Sequence, residues 1–108
     1  MSIDQSSDPL VSEIRARISA TDREILAAVN RRLTLVARLH AYKAERGYAI
    51  VDRAREEAVL ASLCAENPGP LSAAGVRDVF QALISIVTRE AAALRQQAPT
   101  SSPRNPPG

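Results

Sequence analysis

From Val11 to Lys43 the chain runs 33 residues without a proline or a glycine. That length predicts a single helix of about 50 Å at 1.5 Å per residue. Within it one seven-residue series runs Val11, Ile18, Ile25, Arg32, Leu39, and a second, offset by four, runs Arg15, Asp22, Val29, Val36, Lys43. Together the two series form the core-facing seam of a bundled helix. Three of the ten seam positions are long cations and one is an acid. Burying such cations is costly unless an anion meets them, so the seam is read as enclosing an anion site.

The spacing of the cations adds a constraint. Arg32 and Lys43 are eleven residues apart, about three turns or ~16 Å of rise on one face, and their long side chains can converge on one small molecule. Arg15 lies 28 residues before Lys43, ~42 Å along the same helix, too far to reach a small ligand held by Lys43 in its own chain. If Arg15 serves that site, it does so from a second protomer whose long helix runs antiparallel. An interlocked homodimer with two equivalent sites is therefore expected. So short a chain with one very long helix also has too little surface of its own to bury it.

The 108 residues allow one domain at most. Residues 1–9 are polar, and residues 98–108 (APTSSPRNPPG) hold four of the seven prolines; both ends are expected to be disordered, leaving 10–97 as the folded domain. With two Tyr, one Phe and no Trp, the core is aliphatic, which favours helices. The net charge of +2, with both signs interspersed, gives no one-sided basic stripe for a nucleic acid. Cys64 is a lone cysteine and His40 a lone histidine, so neither a disulfide within the chain nor a metal site is expected. The start, MSIDQSSDPL, has no basic and apolar leader, and no apolar run approaches the ~20 residues of a membrane span. A cytoplasmic location away from membranes is expected.

Local signals divide the chain into long, short and medium helices. Asp8-Pro9 starts the first, as N-cap and first helical residue, and Gly47 stops it after about Glu45. Asp52 caps a second helix over roughly 53–65, with Val59, Leu60 and Leu63 on its apolar face. The ENPGP break follows. Ser72 then caps a third helix, 73–96, with Val76, Val79, Phe80, Leu83, Ile84, Val87, Ala91 and Leu94 at helical spacing. The expected fold class is all-α.

No Gly-rich phosphate loop, Ser/His/Asp set or metal-ligand spacing is present. The set that stands out is Arg15, Arg32, Lys43 and Arg55 with the carboxylates Asp52 and Glu56. Arg55 and Glu56 open the second helix, where backbone N–H groups favour anions. Each residue also has a structural reading. Asp52 is a good N-cap, Glu56 and Arg55 are acceptable solvated first-turn residues, Arg31 competes with Arg32 for the seam, and Lys43 suits a helix C-terminus.

In these stretches the chain resembles the all-helical (AroQ-type) chorismate mutase family. IRARISATDREILAAVNRRLTLVARLHAYK is similar to that family's N-terminal helix, IVDRAREEAVL to the element opening its second helix, and VFQALIS to the start of its third. The resemblance covers roughly residues 10–90. It implies rearrangement of chorismate to prephenate in aromatic amino acid biosynthesis, an intramolecular Claisen reaction that requires no cofactor. It further implies that Arg15 of the partner chain and Arg32 bind the substrate carboxylates with help from Arg55. Lys43 would hydrogen-bond the ether oxygen and a carboxylate, and Asp52 and Glu56 would lie by the ring hydroxyl. Lys43, Arg32 and Glu56 are then the catalytic candidates.

One departure concerns the third helix. The family places a Ser or similar residue seven positions after the helix-3 Phe and a Gln or Glu eleven after it, the latter assisting the Lys at the ether oxygen. Here those positions are Val87 and Ala91, with Thr88 and Glu90 as polar neighbours. That pattern fits a mutase with a depleted site, one completed by an activating partner enzyme, or a relative with another substrate. Alternatives on the same scaffold are an isochorismate pyruvate lyase and an aminodeoxychorismate mutase; the presence of both Asp52 and Glu56 favours chorismate itself. A non-catalytic helical interaction or regulatory module, with seam charges setting pairing specificity, is the alternative of a different class.

Overall fold

The computed structural model describes residues 4–97, so the expected disordered tail at 98–108 lies outside the described residues. A single 3₁₀ turn, Gln5–Ser7, precedes three helices, α1 (Pro9–Arg46), α2 (Arg53–Glu66) and α3 (Ala73–Gln97). The architecture is all-helical in the expected order, with no strand among the described residues. No described helix is long and apolar enough to cross a membrane. The turn at Gln5–Ser7 falls where an unstructured leader was expected. It forms because Asp4 Oδ1 accepts both the Ser6 N–H (3.0 Å) and the Ser6 hydroxyl (2.7 Å), a local side-chain alternative to water.

The caps are those read from the residues. Asp8 Oδ1 accepts from the Leu10 and Val11 N–H groups at 2.9 and 3.4 Å, satisfying orphan donors at the start of α1. At its other end Gly47 adopts φ +72°. There the Gly47 N–H bonds the Ala44 carbonyl at 3.2 Å and the Tyr48 N–H bonds the Lys43 carbonyl at 2.9 Å. This pair of bonds is a Schellman stop, which uses a left-handed residue and so favours glycine. The Asp52 side chain accepts from the Arg55 N–H at 3.0 Å to start α2, and the Ser72 hydroxyl accepts from the Gly75 N–H at 3.0 Å to start α3. Between α2 and α3, Asn67 Oδ1 accepts from the Gly69 N–H at 3.0 Å while its Nδ2 donates to the Leu71 carbonyl at 2.6 Å.

By contact the chain divides into two units, residues 1–31 and 32–108. In the first, Leu10, Ile14, Ile18, Ile25 and Leu26 are all exposed; Ile18 and Ile25, both assigned to the seam, are 54% and 55% exposed. At Ile18 and Ile25 the seam is thus uncovered, whereas Val11 and Val29 are half-buried. In the second unit α2 packs on α3. The core holds Leu60 of α2 and Val76, Val87 and Ala91 of α3, and Glu57–Arg77 ties the two helices together at 2.6 Å on the surface. Val79 and Leu94, expected on the apolar face of α3, are 52% and 44% exposed, so the buried stripe is narrower than the spacing suggested.

Candidate active site

Within the second unit a cavity of about 270 Å³ is bordered by the later part of α1, the 47–52 connection, the first turns of α2 and the middle of α3. That size is just below the usual range of ligand pockets, ~300–1,000 Å³, and suits a metabolite rather than a macromolecule. Its polar lining is Arg32, His40, Lys43, Asp52, Arg55, Glu56 and Thr88; Leu39, Ile50, Val59 and Ile84 are among its apolar walls.

The α1 groups meet there through helical registry. Arg32, Val36, Leu39, His40 and Lys43 follow at spacings of four, three, one and three, a stripe down one side of the helix. Arg32 and Lys43 are half-buried whereas Arg31 is exposed, which resolves the competition between the two adjacent arginines. The Schellman stop turns the chain back so that the Ile50 carbonyl accepts from Lys43 Nζ at 3.3 Å, holding the ammonium against the cavity wall.

Two residues later Asp52 begins α2. One of its carboxylate oxygens is committed to the N-cap bond, yet Asp52 also borders the cavity, so the structural and functional readings of this residue hold together. Arg55 and Glu56 follow in the first turn, Glu56 half-buried. Three cations, Arg32, Lys43 and Arg55, and two carboxylates therefore line one small cavity, a lining suited to an anion that also carries a hydroxyl.

The remaining candidates separate. Thr88 borders the cavity one turn beyond Ile84. Val87 and Ala91 do not border it; they are 1% and 0% exposed and belong to the core. Glu90 is exposed, its carboxylate 3.8 Å from Arg89, and stands apart from the cavity lining. Arg15 lies in the first unit, donating to Gln5 Oε1 at 3.3 Å. His40 is the polar group missed by the sequence reading, which considered it only as a metal ligand. It is 7% exposed, and Arg95 Nη1 of α3 lies 3.5 Å from its Nδ1. Burial, then the charges of Arg95 and Lys43, push its pKa below the ordinary 6.5. The available signal was its place in the α1 stripe, three residues before Lys43.

Residues 14–92 match the family model for chorismate mutase type II. Two solved structures are similar to this chain, both of the chorismate mutase from Thermus thermophilus, in its forms I and II. Form I is 32% identical, with a TM-score of 0.70, over 71% of this chain and 96% of that one. Form II is 30% identical, with a TM-score of 0.74, over 76% of this chain and 93% of that one. Comparison with curated proteins by sequence gave no match.

Proposed function

This chain belongs to the chorismate mutase type II family, and on that premise we propose that its second-unit cavity rearranges chorismate to prephenate. The observation that carries the proposal is the convergence of Arg32, Lys43, Asp52, Arg55 and Glu56 on one small cavity. These are the residues that spacing and resemblance had already singled out in the sequence.

In the reaction the ether C–O bond of the enolpyruvyl group breaks as a new C–C bond forms to the ring, and no proton is transferred. The protein's task is to hold the enolpyruvyl chain over the ring and to stabilise negative charge as it develops on the ether oxygen. Arg32 and Arg55 present planar forks suited to the two substrate carboxylates. Lys43, a compact charge already aimed along the cavity wall by Ile50, serves the ether oxygen. Asp52 and Glu56 lie by the ring hydroxyl, whose single O–H one of them accepts. With both acids bordering the cavity, chorismate is favoured over analogues lacking that hydroxyl.

The active species in this reading is a homodimer with antiparallel α1 helices, and each site takes Arg15 from the partner. Two observations support it. Arg15 and Lys43 are 28 residues apart on α1, and the first unit leaves Leu10, Ile14, Ile18, Ile25 and Leu26 exposed, an apolar row that a second copy would cover. The direct test is loss of chorismate absorbance on adding purified protein, with prephenate identified by chromatography. Absence of turnover at micromolar enzyme would overturn the proposal.

A further inference from the structure

His40 is the one polar side chain in the buried core of the described residues, and nothing in the reading above uses it. Arginine has donors and no acceptor. A hydrogen bond from Arg95 Nη1 to the nitrogen facing it, Nδ1 at 3.5 Å, requires the tautomer that carries its hydrogen on Nε2. Protonating Nδ1 as well would set one donor against another, beside the positive charges of Arg95 and Lys43. Arg95 is not a cavity residue whereas His40 is, so the acceptor side of the ring is engaged from α3. In that tautomer Nε2–H is the ring donor left for the cavity that His40 borders. A polar side chain buried this far calls for an explanation.

The neighbours suggest what that donor meets. Lys43 is three residues on, so the two side chains are surface neighbours on α1, with Cβ atoms ~5–6 Å apart. On α3, Ile84, Thr88, Ala91 and Arg95 follow at spacings of four, three and four and share one face. Ile84 and Thr88 border the cavity, and Arg95 reaches His40. On that face Ala91 offers only a methyl group, so α3 presents no amide or carboxyl donor there.

We propose that His40 contacts the substrate, donating its Nε2–H to the ether oxygen alongside Lys43. This rests on the reading of the cavity as the chorismate site. A neutral donor strengthens the field where charge develops without adding a further cation to a crowded cluster, so its effect falls on kcat more than on KM.

The test compares His40→Gln, whose amide nitrogen reaches about as far as Nε2, with His40→Asn, whose amide reaches only as far as Nδ1. Kinetics are measured on chorismate with Lys43→Ala as the control. The Gln variant should keep kcat within about tenfold of wild type, and the Asn variant should lose ~10²–10³ in kcat with little change in KM. A His40→Asn enzyme within about threefold of wild type, or Gln and Asn variants equally impaired, overturns the inference while a dead Lys43→Ala leaves the site reading intact. If Lys43→Ala is also active, the site reading itself fails. A second measurement avoids variants altogether. ¹⁵N correlation spectra of the wild-type imidazole at neutral pH should show protonated Nε2 and bare Nδ1; the opposite tautomer, or an imidazolium, overturns it.

Discussion

Replacing Lys43 with alanine removes the ammonium assigned to the ether oxygen. Arg32 is eleven residues away on α1, ~16 Å of rise, and His40 beside it is neutral. If the ammonium stabilises charge that develops only in the transition state, its loss should cost ~2.7–4 kcal/mol, or ~100- to 1,000-fold at about 1.4 kcal/mol per tenfold. Most of this should appear in kcat, because the ground-state ether oxygen is a weak acceptor. Stability should barely move. The Ile50 carbonyl loses a bond of 3.3 Å worth ~0.5–1.5 kcal/mol, and relief of repulsion within the cation cluster offsets part of that. Initial rates of chorismate loss and thermal melts on the same preparations give both quantities. A Lys43→Ala enzyme within about threefold of wild type would refute the assignment of Lys43, and an unfolded one would refute the claim that its role is chiefly chemical.

Asp52 combines a cap with a cavity position. Asp52→Asn should keep the bond to Arg55 N–H and hence the melting temperature, while Asp52→Ala should lose ~1 kcal/mol; both should lose activity, as kinetics and melts on the pair will test. Ala91 has no exposed surface, so Ala91→Gln should destabilise by ~1–3 kcal/mol through overpacking without raising kcat; a faster and equally stable variant would contradict the core placement of that residue. His40 makes stability depend on pH. Its folded pKa lies below 6.5 because of burial, then Arg95 on α3 and Lys43 on α1, with Asp52 and Glu56 of the same cavity lining as the nearby acids. The unfolded chain therefore binds more protons as pH falls from about 6.5, and stability is full above that value and lost below it. Melting temperatures measured from about pH 7.5 to about 5 should fall more for wild type than for His40→Gln.

The helix ends were legible in the sequence because each is a local device, Asp8, Asp52 and Ser72 as caps and Gly47 with ENPGP as stops. Arg32, Lys43, Asp52, Arg55 and Glu56 were legible for a related reason. They lie on one helix and the start of the next, where registry follows from counting residues. The face that α3 turns to the cavity was not, since one residue rotates a helical position by about 100° and the packing of α3 on its neighbours decides that Thr88 borders the cavity while Val87 enters the core. His40 was illegible for another reason. A single histidine carries no pattern, and its meaning comes from Arg95, 55 residues away in the chain. Of the exposed apolar residues from Leu10 to Leu26, Ile18 and Ile25 belong to the seam read in the sequence, whereas Leu10, Ile14 and Leu26 flank it.

The most direct test of the shared, cation-lined site is complementation between two inactive variants. Arg15→Ala and Lys43→Ala homodimers should each be inactive. Mixed in equal amounts and allowed to exchange, they should form heterodimers with one intact site, and about a quarter of wild-type activity per total protein should return. Activity that stays at the level of the separate variants after proven exchange, or an Arg15→Ala enzyme that is fully active by itself, would contradict the account.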